Sequence, residues 1–284
     1  MKNSEINIRD PFVVVKDNKY YLYGTRAKDF GIKTGGFDVY IGENLSDWSE
    51  PLQVFDSRKF GLDKHSNWAP EVHFYNGRYY MLATFEMENG MRGTYSLVSD
   101  APDKEFVLCS EKALTPADWW SLDGTLYISE NGEPYLVFCH EHVQILDGTV
   151  CYVKLNDTLT EAVGEPVVMF RGSDAKGAVK VDDGRYVTDG PFLYRGLNNR
   201  LYMIWSSVVN HQYYQCIAVS DNGEIDGSWI QLDPIFTKDG GHGMIFVATD
   251  GSLKLSLHCP NNQPDERPVF FDIVDTGATL AINK

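Results

Sequence analysis

Residues 8–25 read IRDPFVVVKDNKYYLYGT: an acid before a proline, an apolar run, a polar KDN turn, and a tyrosine-rich run. β-Branched and aromatic residues on both sides of a short polar turn are the pattern of a β-hairpin. The layout returns four times, as NWAPEVHFYNGRYYMLATF (67–85), SLDGTLYISENGEPYLVF (121–138), VTDGPFLYRGLNNRLYMIW (187–205) and GGHGMIFVATDGSLKLSL (240–257). Each copy has one polar residue at its mouth, Asp10, Glu71, Asp123, Asp189 and His242, at spacings of 61, 52, 66 and 53 residues. Five weak repeats at this period predict a radial array of blades. A blade cannot bury its faces alone, so all 284 residues are expected to form a single domain, an all-β five-bladed β-propeller.

Between the hairpins, residues 37–44, 93–100, 148–155 and 215–222 read as third strands, followed by edge segments such as LQVF and PVVMF. That makes four strands per blade. The fifth unit ends with RPVFFDIVD (267–275), and its fourth strand is expected from the N-terminus, closing the ring. No window sustains a 3.6-residue apolar period, so no long helix is expected.

Hydrophobic residues make up 43% of the chain, enough for a core, and no run approaches the ~18 apolar residues of a membrane helix. The opening MKNSEINIRDP lacks an apolar h-region, so the expectation is a cytoplasmic protein without a signal peptide. A secreted protein trimmed of its leader would read the same way. Five cysteines without a CxxC pair are expected to be buried reduced thiols. A net charge of −15 argues against nucleic acid or polyanionic polysaccharides as partners, and suits a neutral ligand. Aromatic residues, at 13%, suit both sugar stacking and the packing of blade on blade.

In a propeller the first strand of each blade lines the central channel, so the five mouth residues should converge on one axial pocket. The second strand returns to the same face. Residues just after it, Arg26, Glu86, His140, Glu141, Ser206, Ser207 and His258, should form a second ring. Crowded carboxylates raise one another's pKa and mark acid/base sites. A single aspartate at a strand start often only bonds turn amides. Three in matching repeats, as DP, DG and DG, argue for chemistry. Trp68 reads as a sugar platform or as blade packing, and Glu71 as a sugar contact or an anchor for its neighbours. Trp119 and Trp120 read as a pocket wall or as rim packing. His140 and His142 form an HxH spacing without a third ligand in register, so zinc is not expected.

The motifs Arg9-Asp10-Pro11, Trp68-Ala69-Pro70-Glu71-Val72-His73, Leu122-Asp123-Gly124, Thr188-Asp189-Gly190-Pro191 and Gly241-His242-Gly243 occur in this order. His258-Cys259-Pro260-Asn261 and Glu266-Arg267-Pro268 follow them. Together they resemble glycoside hydrolase family 43, the five-bladed propeller arabinanases, arabinofuranosidases and β-xylosidases. The resemblance spans essentially the whole chain and implies an inverting glycosidase acting on an oligosaccharide. It makes Asp10 the general base and Asp123 the residue that tunes the acid and orients the sugar. His242 matches an axial histidine that in many members lies beside a calcium ion, often through water. It implies calcium and no organic cofactor. The family's acid is usually glutamate in an EGP motif, whereas this chain has Asp189-Gly190-Pro191. Asp189 is therefore the candidate acid, one methylene short, with Glu141 as its rival. Trp68, Glu71, Glu141, His140, Ser206 and Arg267 are the sugar-binding candidates.

Family β-xylosidases usually carry a second, β-sandwich domain, for which a chain ending at Lys284 has no room. That raises arabinofuranosidase or arabinanase, and the expected absence of a signal peptide favours imported short oligosaccharides, so the expected activity is that of an exo-acting α-L-arabinofuranosidase. The alternatives are β-xylosidase or another pentosidase or galactosidase on this scaffold, or a binding propeller that has lost turnover.

Overall fold

The protein was analysed as a computed structural model that describes residues 1–32, 35–181 and 184–283. Its opening hairpin pairs Ile8–Lys16 with Lys19–Arg26 across Asp17 and Asn18, both at positive φ (49° and 60°). Two such residues make the tight turn whose twist matches that of the strands. The second hairpin, Asn67–Tyr75 with Arg78–Glu86, repeats the device at Asn76 and Gly77. Ser121–Ile128 with Pro134–His140, Asp189–Arg195 with Leu201–Val209, and Gly241–Val247 with Leu253–Cys259 complete the set.

Each hairpin continues outward to a third strand: Phe37–Gly42, Arg92–Ser99, Thr149–Leu155, Gln212–Ser220 and Arg267–Asp275. A fourth strand closes each of the five four-stranded antiparallel sheets in simple sequential order. Those outer strands are Leu52–Phe55, Val107–Leu108, Ala162–Arg171, Trp229–Gln231 and Leu280–Ile282. The architecture is a five-bladed β-propeller. Among the described residues the α-helix is confined to His142–Ile145, and no helix is long and apolar enough to cross a membrane.

The fifth blade corrects one expectation. Its outer strand is the C-terminal Leu280–Ile282, which pairs with Arg267–Asp275 after a turn in which Thr276 N–H donates to Thr279 O (3.0 Å). A local turn needs far less chain ordering than recruiting the opposite terminus. The N-terminus instead joins the first blade, where Trp48 Nε1–H donates to Asn3 Oδ1 (2.6 Å). Side chains seal the ring between blades five and one: Ser256 Oγ–H donates to Pro11 O (2.7 Å), and Arg9 pairs with Glu266 (2.8 Å).

Aromatic rings fill the spaces between blades. Phe85 of blade two lies 5.8 Å from Phe37 and 5.6 Å from Phe55 of blade one. Trp205, fully buried, meets Phe170 at 4.9 Å between blades four and three. Cys139, Cys151 and Cys216 are buried free thiols, whereas Cys109 and Cys259, at or just past the end of a strand, are only half-buried.

Candidate active site

The site begins as a backbone irregularity repeated in every blade. Where the first strand nears the channel mouth its pairing slips, and one residue turns left-handed. These residues are Asp10 (φ 53°), Ala69 (47°), Asp123 (58°), Gly190 (50°) and His242 (50°). Proline or glycine follows each of them. Such a conformation costs a non-glycine residue about 1–3 kcal/mol and is tolerated where surrounding structure enforces it, commonly at functional sites. Equivalence around the ring therefore runs through Ala69 and Gly190, not Glu71 and Asp189. Asp189 stands one residue before its bulge and Glu71 two after.

Gly190 shows why one seat needs glycine. A Cβ there would lie 2.6 Å from His242 Cδ2, in addition to the strain at φ 50°. Gly190→Ala is expected to lower stability by about 1–3 kcal/mol and to reduce kcat, measured by denaturant unfolding and steady-state assay. Stability within about 0.5 kcal/mol of wild type, the usual range for a benign surface change, would contradict the packing described.

Asp10, Asp123, Asp189 and His242 line one axial pocket of about 320 Å³, together with Arg9, Phe30, Trp68, Arg92, Leu122, Glu141, His142 and Val143. A larger groove of about 760 Å³ at the margins of blades two and three contains neither aspartate nor histidine, so size alone does not locate the chemistry.

His242 Nδ1 stands between two carboxylates, 3.1 Å from Asp10 Oδ1 and 3.7 Å from Asp123 Oδ2. Burial alone would lower its pKa, but Asp10, Asp123 and Asp189 outweigh it and raise it. Asp10 is buried, yet His242, Arg9 and the Thr25 hydroxyl (2.6 Å) hold its carboxyl below the usual range. Asp123 goes the other way. Burial, reinforced by Asp189 and Asp10, pushes it up to about 7 against the pull of His242. Two aspartates on equivalent bulges are thus driven apart, one ionised and the other able to hold a proton near neutral pH.

His258 is fully buried, and burial and Arg9 push it down to about 3. It is therefore neutral: Nδ1 accepts from Asp10 N–H (3.2 Å), and the Nε2–H donates to Asn261 Oδ1 (3.1 Å). Asp189 Oδ2 accepts from the buried Tyr213 hydroxyl (3.1 Å). Glu141 faces Arg92, whose Nη2 lies 2.7 Å from one of its oxygens and 2.9 Å from the other. Burial nevertheless pushes Glu141 up to about 7.

The sequence matches glycosyl hydrolases family 43 over residues 4–275. The chain belongs to that family. Among solved structures it is similar to the endo-arabinase of Bacteroides thetaiotaomicron VPI-5482, with 34% identity, 97% coverage of both chains and a TM-score of 0.90. An endo-1,4-beta-xylanase of the same organism shares the fold at 23% identity, covering 100% of this chain and 96% of that one, with a TM-score of 0.79. Alpha-L-arabinofuranosidase 43 of Humicola insolens is 25% identical over 221 residues, which span 72% of this chain. The match covers only 44% of that longer relative.

In this family 43 glycosidase, several sugar-binding candidates lie elsewhere than expected. Glu71 is buried and paired with His73 Nε2 (3.1 Å), since it follows its bulge instead of forming it. His140 stacks on Trp119 (centroids 4.0 Å apart) and meets Gln144 (2.9 Å), so that Trp119 packs the rim. Ser206 is buried, and its Oγ accepts from His242 N–H (2.7 Å), which makes it a support. Arg267 donates to Ser4 O (2.8 Å) and Glu266 O (2.8 Å), tying down the N-terminal segment away from the pocket. In the second ring, Arg26 is clamped by Asp38 (2.7 Å) and Glu86 meets His65 (3.3 Å).

Trp68 does line the pocket, stacked with Phe30 (5.0 Å, 25°). The Arg92 guanidinium lies over Trp68 (4.9 Å) and over Trp120 (4.5 Å). Phe30, Arg92 and Tyr213 escaped the sequence reading because they lie outside the repeated hairpin mouths. The pairing of each blade's first bulge residue with a following proline or glycine was a usable signal. It would have moved the equivalence from Glu71 to Ala69.

Proposed function

We propose that this family 43 enzyme is an inverting, exo-acting α-L-arabinofuranosidase-like hydrolase of neutral, plant-type glycans. The observation that carries the reading is the small pocket of about 320 Å³ in which an ionised Asp10 shares space with Asp189, Asp123 and His242. That volume is at the low end for ligand sites, which suits a terminal sugar better than a chain threaded through.

In this reading Asp10, held ionised by His242 and Thr25, takes the proton of the attacking water. Asp189, oriented by the Tyr213 hydroxyl, protonates the leaving oxygen. Asp123, raised to about 7 beside Asp189, tunes the acid and orients the sugar. An inverting mechanism requires roughly 6.5–9.5 Å between acid and base so that water fits at the base. Endo-acting arabinanase activity is the second reading, favoured by the name of the structure that is 34% identical. Nitrophenyl α-L-arabinofuranoside and β-xyloside, followed by product analysis on arabino-oligosaccharides, separate these outcomes. Release of single arabinose units supports the exo reading, internal fragments support the endo one, and xyloside-only activity rejects both.

A calcium or sodium ion beside His242 belongs to the same reading. His242 Nε2 is buried without a hydrogen-bond partner, but among the described residues no three His, Cys, Asp or Glu side chains converge as ligands. The residues therefore fit only an ion held mainly by water, with His242 as its single protein contact, since calcium prefers six to eight oxygens. Such an ion would add positive charge beside the aspartates. Elemental analysis is expected to find it, and chelation to lower Tm. A metal-free, chelator-insensitive protein leaves His242 as a partner of Asp10 and Asp123 only.

A further inference from the structure

In four blades, the N–H of the left-handed bulge residue is held by a side chain from the second strand of the preceding blade. Ala69 N–H donates to Thr25 Oγ1 (2.7 Å), Asp123 N–H to Thr84 Oγ1 (2.9 Å), and His242 N–H to Ser206 Oγ (2.7 Å). Asp10 N–H donates to His258 Nδ1 (3.2 Å), closing the circle from blade five to blade one. All four acceptors hold the same place in their hairpins. Each is paired with the residue just before the bulge: Thr25 with Arg9, Thr84 with Trp68, Ser206 with Asp189, His258 with Gly241.

In blade three that place, opposite Leu122, belongs to Cys139, which is fully buried. A thiol is a weak acceptor. The next bulge amide, Gly190 N–H, donates instead to Asp123 Oδ2 (3.0 Å). The contrast with blade one is direct. There Thr25 Oγ1 accepts from the next bulge amide and donates to Asp10 Oδ2 (2.6 Å), so its hydroxyl stands between the two.

We propose that Cys139 is a positioning residue: by withholding the acceptor that other blades supply, it leaves the Gly190 amide to fix the Asp123 carboxylate in the pocket. The proposal rests on the reading of Asp123 as a working member of the site. A main-chain N–H in a packed bulge points one way only, whereas a hydroxyl rotates, so the amide is the stiffer hold on a carboxylate. A serine at 139 would rebuild the blade-one arrangement. Its hydroxyl would take the Gly190 N–H and release Asp123 from it.

The test compares Cys139→Ser with Cys139→Ala. Serine is expected to lower kcat by about tenfold, the effect of redirecting one buried hydrogen bond, with KM within about twofold of wild type. Alanine offers no competing acceptor and should keep kcat within about threefold, while a small cavity lowers its Tm. Simple packing predicts the reverse order, because alanine leaves a hole and serine does not. Alanine losing as much kcat as serine would overturn the proposal. So would a crystal structure of Cys139→Ser that keeps Gly190 N at 3.0 Å from Asp123 Oδ2. If the wild type cleaves none of the arabinosides or xylosides, the functional reading fails, and the serine variant's structure alone decides the positioning claim.

Discussion

Asp10→Asn is expected to lower kcat on the order of 10²–10⁴-fold, equally on an arabino-oligosaccharide and on a nitrophenyl α-L-arabinofuranoside. The amide keeps the shape and can still accept from the Thr25 hydroxyl that now sits 2.6 Å from Oδ2. It cannot take a proton from water, and water must be activated whatever the leaving group. The neighbouring charge changes too. His242 Nδ1 loses the carboxylate 3.1 Å away, the foremost of the groups that raise its pKa against burial. Its pKa should therefore fall, visible by NMR titration of the imidazole. KM should change little, because the general base acts on water. A variant retaining more than a tenth of wild-type turnover on both substrates would remove Asp10 from the base role.

The second large effect separates Asp189 from Glu141 as proton donor. Asp189→Asn is expected to cost about 10²-fold or more on an oligosaccharide and far less on the nitrophenyl glycoside, whose leaving group scarcely needs protonation. Glu141→Gln should reduce both substrates by a similar factor, since it breaks a buried ion pair with Arg92 and disturbs the wall built with Trp68 and Trp120. The geometry behind this choice is the hydroxyl of Tyr213, which orients the Asp189 carboxyl, set against the ion pair that ties Glu141 to Arg92. Burial does push Glu141 up to about 7, so it can carry a proton near neutral pH. A leaving-group-dependent loss in Glu141→Gln, with Asp189→Asn still active, would place the acid on blade three. Unimpaired hydrolysis by both variants would dispose of the two-carboxylate scheme altogether.

The hairpins, the blade count and their order were legible from the chain because they depend on local chemistry. Strand alternation, the Asp17-Asn18 and Asn76-Gly77 turns, and a bulge followed by proline or glycine are set within a few residues of one another. Asp10, Asp123 and His242 were found for the same reason: each stands at the mouth of a repeated hairpin.

Contacts between blades were decided by the tertiary structure alone. Arg92 reaches Glu141 across 49 residues of sequence and Asp123 reaches the Gly190 amide across 67, at distances fixed by radial packing. The chain also turns where the strand Pro134–His140 gives way to the short helix His142–Ile145. Glu141 thus enters the pocket while His140 turns under Trp119. Composition made three aspartates available at the mouth. Their division into a depressed Asp10 and an elevated Asp123 arises from burial and what it places around each: His242, Arg9 and a hydroxyl overcome burial at the first, whereas at the second burial, reinforced by two other carboxylates, outweighs the pull of His242.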